Sequence, residues 1–131
     1  MREVNNLISN NQLIDYLNLR GVRDQSYCEF AEKYCPGDYK FTMCTVNGFD
    51  YIVSHFLDRS EKKGYGIIAT NEILETEKSG QLAVGLIEGD DVICLDPKTG
   101  QISLWLVQTG NNEQLVVADS FDDFIRICCE K

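Results

Sequence analysis

Apolar residues recur every three to four positions near the two ends of the chain and every second position through much of its middle. That pattern predicts helices first and last, with strands between them. From Val4 to Leu19, the residues Leu7, Ile8, Leu13, Ile14 and Leu17 define one face of an amphipathic helix. It is interrupted near Asn10-Asn11 and closed by Gly21. Ser26, with Glu29 three positions later, predicts a capping box at the start of a second helix. Tyr27, Phe30, Ala31 and Tyr34 line one face of it. It stops at Cys35-Pro36-Gly37, because a residue before proline is pushed out of the helical region.

Two β-rich runs, YKFTMCTV and FDYIVSHF, flank Asn47-Gly48. Asn-Gly between such runs predicts a two-residue hairpin turn, since both turn positions need positive φ. The turn sets a register. Val46 faces Phe49, Cys44 faces Tyr51, Met43 faces Ile52 and Thr42 faces Val53. Further along, Lys40 faces His55 and Tyr39 faces Phe56. Apolar groups on both faces predict cover on both. Asp58 to Gly64 reads as a solvated connection. Ile67 to Glu77 contains helix formers, with Asn71 a candidate cap and Gly80 closing the segment.

Leu82 to Ile87 is apolar without alternation, as expected of a strand covered on both faces. Asp91 to Leu95 is the next strand. It ends at Asp96-Pro97-Lys98-Thr99-Gly100, a turn in which proline presets φ and glycine takes the left-handed position. Ile102, Leu104 and Leu106 then alternate with Ser103 and Trp105. Gly110-Asn111-Asn112 is another turn, and Leu115 to Ala118 a last strand. Ser120 with Asp123 caps a final helix whose stripe is Phe121, Phe124, Ile125 and Cys128. The expected fold class is α+β: one domain over 1–131, a mostly antiparallel β-sheet with N-terminal helices and a C-terminal helix packed on it.

Charge narrows the choice of partner. Twelve Lys and Arg against 21 Asp and Glu leave a net charge of −9. Direct nucleic-acid binding is disfavoured, because phosphate recognition needs a basic footprint. A cationic protein is favoured, because opposite fields steer encounter. The same charge also serves solubility alone. The opening MREVNNLISNNQ is polar, and no apolar run approaches the ~18 residues that span a bilayer. No membrane association and a cytoplasmic location are expected.

Six cysteines are then expected to be reduced. They form no Cys-x-x-Cys pair, and one histidine cannot complete a zinc finger. Cys28, Cys44 and Cys94 lie in apolar segments, where cysteine acts as a small hydrophobe. Cys128 and Cys129 near the end of the chain are expected to be exposed and oxidisable in vitro.

Catalytic devices are sparse. His55 is the one histidine, and a strand histidine is more often packed than a general base. Glu88, Asp90, Asp91 and Asp96 are dense, but their spacing matches no calcium loop. Asp122 and Asp123 fall in the first turn of a helix, where the dipole favours negative charge. Trp105 either packs under a helix or anchors a partner. Gly64-Tyr65-Gly66 lacks the context of a dinucleotide loop. The expectation is a protein that is not an enzyme and needs no cofactor or metal.

Four pieces occur in a telling order: Asn71 to Leu74, Gly89-Asp90-Asp91 before a strand, Leu95-Asp96-Pro97-Lys98-Thr99-Gly100 before the strand with Trp105, and Ala118 to Phe124 opening the last helix. With the Phe30 to Pro36 helix end and the hairpin after it, this order resembles the SUKH superfamily of Smi/Knr-type cell-wall regulators and bacterial immunity proteins. The likeness runs from Ser26 to Ile127; Cys35-Pro36-Gly37 departs from the more glycine-rich helix exit of the family. The resemblance implies a non-enzymatic binding domain. Its partner would be a cognate protein toxin, a basic nuclease-type domain, with a regulatory interaction module of the Smi/Knr type as the alternative. The chain itself would be a monomer or weak homodimer. Candidate partner-binding residues are Glu88, Asp90, Asp91, Trp105, Asp119, Asp122 and Asp123.

Overall fold

A computed structural model describes residues 7–34, 42–46, 48–89, 91–106 and 113–130. Helix α1 (Asn10–Leu19) begins at Ser9, whose side chain accepts from the Gln12 backbone N–H at 3.1 Å while Gln12 Oε1 accepts from the Ser9 N–H at 2.9 Å. This reciprocal box starts the helix at Asn10, where the sequence suggested an interruption. Leu13 and Leu17 bury its inner face.

Helix α2 (Gln25–Lys33) is capped by Asp24. Asp24 Oδ1 accepts from the backbone N–H of Ser26 (2.9 Å) and of Tyr27 (3.2 Å). Ser26 is therefore inside the helix, and its hydroxyl donates to the same carboxylate oxygen at 2.6 Å. The Ser26–Glu29 capping box is thus corrected: a better acceptor stands two positions earlier.

Strands β1 (Thr42–Val46), β2 (Phe49–Phe56), β3 (Leu82–Ile87), β4 (Asp91–Leu95), β5 (Ile102–Leu106) and β6 (Glu113–Ala118) form an antiparallel meander. The hairpin register is as expected: Val46 faces Phe49, Cys44 faces Tyr51 and Met43 faces Ile52. The pairings of Tyr39 and Lys40 and the turns at 35–37 and 110–112 lie outside the described residues. Between β2 and β3 lies α3 (Ile67–Leu74), followed by a 3₁₀ turn (Thr76–Lys78).

After β6, helix α4 (Phe121–Ile127) is capped by Ser120, which accepts from the Asp123 N–H at 3.1 Å, as expected. Cys128 does not continue the stripe of that helix. It starts a short strand, β7 (Cys128–Glu130), which pairs antiparallel with β1. The sheet order is therefore β6-β5-β4-β3-β2-β1-β7. A flat sheet of that order would separate its edges by six steps of about 4.8 Å, roughly 29 Å. The seven-residue α4 that bridges them is only about 10 Å long. The sheet must curl, and the molecule is an α+β domain built on that curl.

One core cluster fills the concave space and runs under the helices. Phe56, Gly85, Ile93 and Leu104 are directly opposite one another across four strands, so they share a face. Helices α2 and α4 cover it through an aromatic group in which Phe30 lies 4.7 Å from Phe121 and 5.1 Å from Phe56, ring centre to ring centre. Gly85 permits this closeness. A Cβ there would sit 3.0 Å from Ile93 Cδ1 and 3.2 Å from Phe56 Cδ1.

Leu82 to Ile87 is buried almost throughout, as expected of a strand covered on both sides, and β4 is buried after Asp91. Asp58 and Ser60 are also buried, so the connection after β2 is solvated only in its middle. Asp58 Oδ1 accepts from the Ser60 N–H at 2.7 Å, which explains how a carboxylate is tolerated there.

Tyr27 is 1% exposed, and among the described residues its hydroxyl has no hydrogen-bond partner. Burial pushes its phenol well above the ordinary tyrosine range. Removing the hydroxyl relieves an unpaired buried donor. Tyr27→Phe is therefore expected to leave stability unchanged or raise it by up to about 1 kcal/mol in urea unfolding. A loss beyond about 1 kcal/mol would reveal a partner for that oxygen.

Candidate partner-binding surfaces

The expected carboxylates do not converge. Glu88 is exposed in the β3–β4 turn, and Asp91, half-buried, opens β4 opposite Ile87. Asp119, Asp122 and Asp123 follow the far end of β6, where Ala118 pairs with Ile102. A five-residue strand separates the two ends by roughly 14 Å. Asp90 lies outside the described residues. Asp96 serves its turn: Oδ1 accepts from the backbone N–H of Lys98 at 2.9 Å and of Thr99 at 3.4 Å.

Trp105 is half-buried and packs against the core on the face that carries His55, Leu86, Val92 and Gln114. That face is opposite the one under α2 and α4. His55 has both ring nitrogens engaged. Nε2 donates to the Gly64 carbonyl at 2.7 Å, and in the neutral ring Nδ1 accepts from the Ser54 hydroxyl at 2.9 Å. Its ring stacks on Tyr65 at 4.8 Å. The arrangement clamps the Glu61–Tyr65 loop onto β2.

Asp122 and Asp123 share one cation. Arg126 donates to Asp122 Oδ2 and to Asp123 Oδ1, each at 2.8 Å. These ion pairs are exposed and add little stability. Asp122 also lies at the mouth of a groove of about 350 Å³ between α2 and α4. Phe30, Tyr34, Phe121 and Ile125 give the groove a buried or half-buried apolar floor; Glu29, Lys33 and Asp122 stand at its exposed rim. Sequence reasoning placed Phe30, Tyr34, Phe121 and Ile125 in helix stripes and missed the groove, which exists only because α4 lies beside α2.

A second depression, about 230 Å³, lies where α1 meets the end of α3, with Glu72, Glu75, Glu77 and Lys78 around Tyr16. Burial raises the Tyr16 phenol, opposed by its bond from Arg20 at 2.8 Å. Arg20, Arg23 and Lys98, with Glu77, line a wider groove of about 560 Å³ between the α1–α2 loop and the β4–β5 turn.

Among the described residues, no group of three or more His, Cys, Asp or Glu side chains is placed to hold a metal ion. Among the same residues, no helix is long and apolar enough to cross a membrane. Compared with protein-family models, with curated proteins and with solved structures, the chain finds no match.

Proposed function

We propose that this chain is an immunity protein: it binds and neutralises a basic, nuclease-type toxin domain and transforms no substrate itself. The observation that supports the reading is the α2–α4 groove, where an apolar floor meets a rim of the exposed carboxylates Glu29 and Asp122, which Lys33 balances only in part, leaving the rim net negative. A cationic partner with an aromatic or aliphatic anchor would fill such a groove. The acidic rim would speed encounter, and the buried anchor would supply residence time. The net charge of −9 and the SUKH-like order of motifs support the same partner. Neutralisation requires a Kd near 1 nM, roughly −12 kcal/mol.

The test is co-expression with basic nuclease-type toxin domains, first among them any encoded beside this chain's gene. Growth is expected to be restored, and the two proteins are expected to co-elute. Continued killing despite abundant folded protein would defeat the reading. The paired charge reversal Glu29→Lys and Asp122→Lys is expected to weaken the complex at least about 10-fold, mostly through slower association at low salt. The pair Glu88→Lys and Asp91→Lys, at the other end of the sheet, is expected to do less. The reverse ranking would move the interface to the β3–β4 turn.

A further inference from the structure

Two thiols with no part in toxin binding face each other across the last strand pair. Cys44 on β1 and Cys128 on β7 are directly opposite in register, and their side chains are hydrogen-bonded. Directly opposite residues in an antiparallel ladder have Cα atoms about 4.5–5.5 Å apart. A disulfide spans about 4.4–6.8 Å between Cα atoms, so that separation lies within its reach. Cys44 is fully buried and Cys128 only half-buried, so an outside reagent reaches one sulfur of the pair.

The thiols differ in reactivity for physical reasons. The hydrogen bond from Cys128 holds the Cys44 thiol below its ordinary value, against the opposing effect of burial. Burial pushes Cys94 up to about 12. Burial raises Cys28 too, aided by the nearby charges of Asp24, Glu32 and Glu29. Only the thiolate attacks a disulfide, so Cys94 and Cys28 are poor competitors.

We propose that Cys44 and Cys128 are a reversible dithiol–disulfide site whose co-substrate is a small-molecule disulfide of the glutathione class. The Cys128 thiolate attacks one sulfur of the reagent, and one glutathione thiolate leaves. The Cys44 thiolate then attacks Cys128 Sγ and expels the second. One S–S bond forms in the protein and one breaks in the reagent. Two electrons pass to glutathione, and the two thiol protons end on its two thiols. The new bond fastens β7 to β1, which fixes the C-terminal end of α4 and with it one wall of the α2–α4 groove. The site stands on register and thiol contact alone, so it does not depend on the toxin reading.

The experiment equilibrates the full chain against mixtures of oxidised and reduced glutathione, quenches with an alkylating reagent and maps the peptides. The expected product is an intramolecular Cys44–Cys128 link, formed in preference to any other pair. Its melting temperature is expected to exceed that of the dithiol form by more than about 5 °C, because the bond closes a long loop. Amide exchange in β7 and the last turn of α4 is expected to slow at least about 10-fold. Cys128→Ser is expected to abolish the link, whereas Cys129→Ser and Cys35→Ser retain it. Mapping the unsubstituted protein decides the matter even if a variant folds poorly. A dominant link from Cys128 to Cys35 or Cys129 would overturn the proposal. So would a lasting glutathione adduct on Cys128, or a Cys44 that stays alkylatable after unfolding at every redox ratio.

Discussion

Asn71→Ala is expected to lower the unfolding free energy by about 4 kcal/mol. The reason is the number of bonds that end on one carboxamide. Nδ2 donates to the Ile67 carbonyl at 2.7 Å and to the Ala83 carbonyl at 3.0 Å. Oδ1 accepts from the Ala83 N–H at 2.7 Å and from the Thr76 hydroxyl at 2.6 Å. The paired bonds to Ala83 reproduce those of a neighbouring strand at the point where β2 has already left the sheet. Asn71 is 2% exposed, so water does not replace what alanine removes. Two orphaned backbone groups at about 1–3 kcal/mol each account for most of the loss, and the small void adds to it. Asn71→Asp keeps the acceptor and loses the donor, so it is expected to be nearly as damaging. Glu72→Ala, one residue on and exposed, is expected to stay within about 0.5 kcal/mol. Urea unfolding with unchanged slope is the measurement. If Asn71→Ala cost less than about 1 kcal/mol, the bridge between α3 and β3 would not be what fastens them.

Asp24→Ala is expected to cost about 3 kcal/mol. This carboxylate caps two helices at once. Oδ1 serves the first turn of α2, and Oδ2 accepts from the Phe121 N–H at 2.9 Å, the first helical residue of α4. An ordinary N-cap is worth about 1 kcal/mol, and the stranded Phe121 amide adds about 1–3. Both helix dipoles also favour a negative charge at that place. Asp24→Asn cannot accept with both ends of its side chain and is expected to fall between wild type and alanine. Ser26→Ala is expected to cost less than Asp24→Ala. The opposite order would restore the Ser26 box read from the sequence. A double cycle with Ser120→Ala adds a second check, because Asp24 and Ser120 serve the Phe121 and Asp123 amides of the same turn.

The legible parts of this fold were those fixed by local chemistry. The Asn47-Gly48 turn has a two-residue period on either side, so the β1–β2 register followed from it. The Asp96 to Gly100 turn and the Ser120 cap were legible for the same reason. What stayed hidden depends on residues far apart in sequence. Asn71 has the composition of a cap, and only contact with Ala83 reveals its role as a bridge. Asp24 and Ser26 are both good caps, and the choice is settled by α4, 97 positions away. Cys128 fits the stripe of α4 by spacing, yet three residues pairing with β1 carry no periodic signal of their own. The acidic residues were legible as charges, but their grouping was not. The curl places Asp122 beside Glu29 and leaves Glu88 at the other end of the sheet.

That curl also bears on self-association. A meander of six strands would leave two long rims of unpaired backbone, each a template for another chain. Because α4 carries the chain back to β1, one of those rims is occupied by three residues of the same molecule. Three residues are too short a ledge to recruit an invading strand, which leaves β6, among the described residues, as the extended rim open to amyloid-like addition.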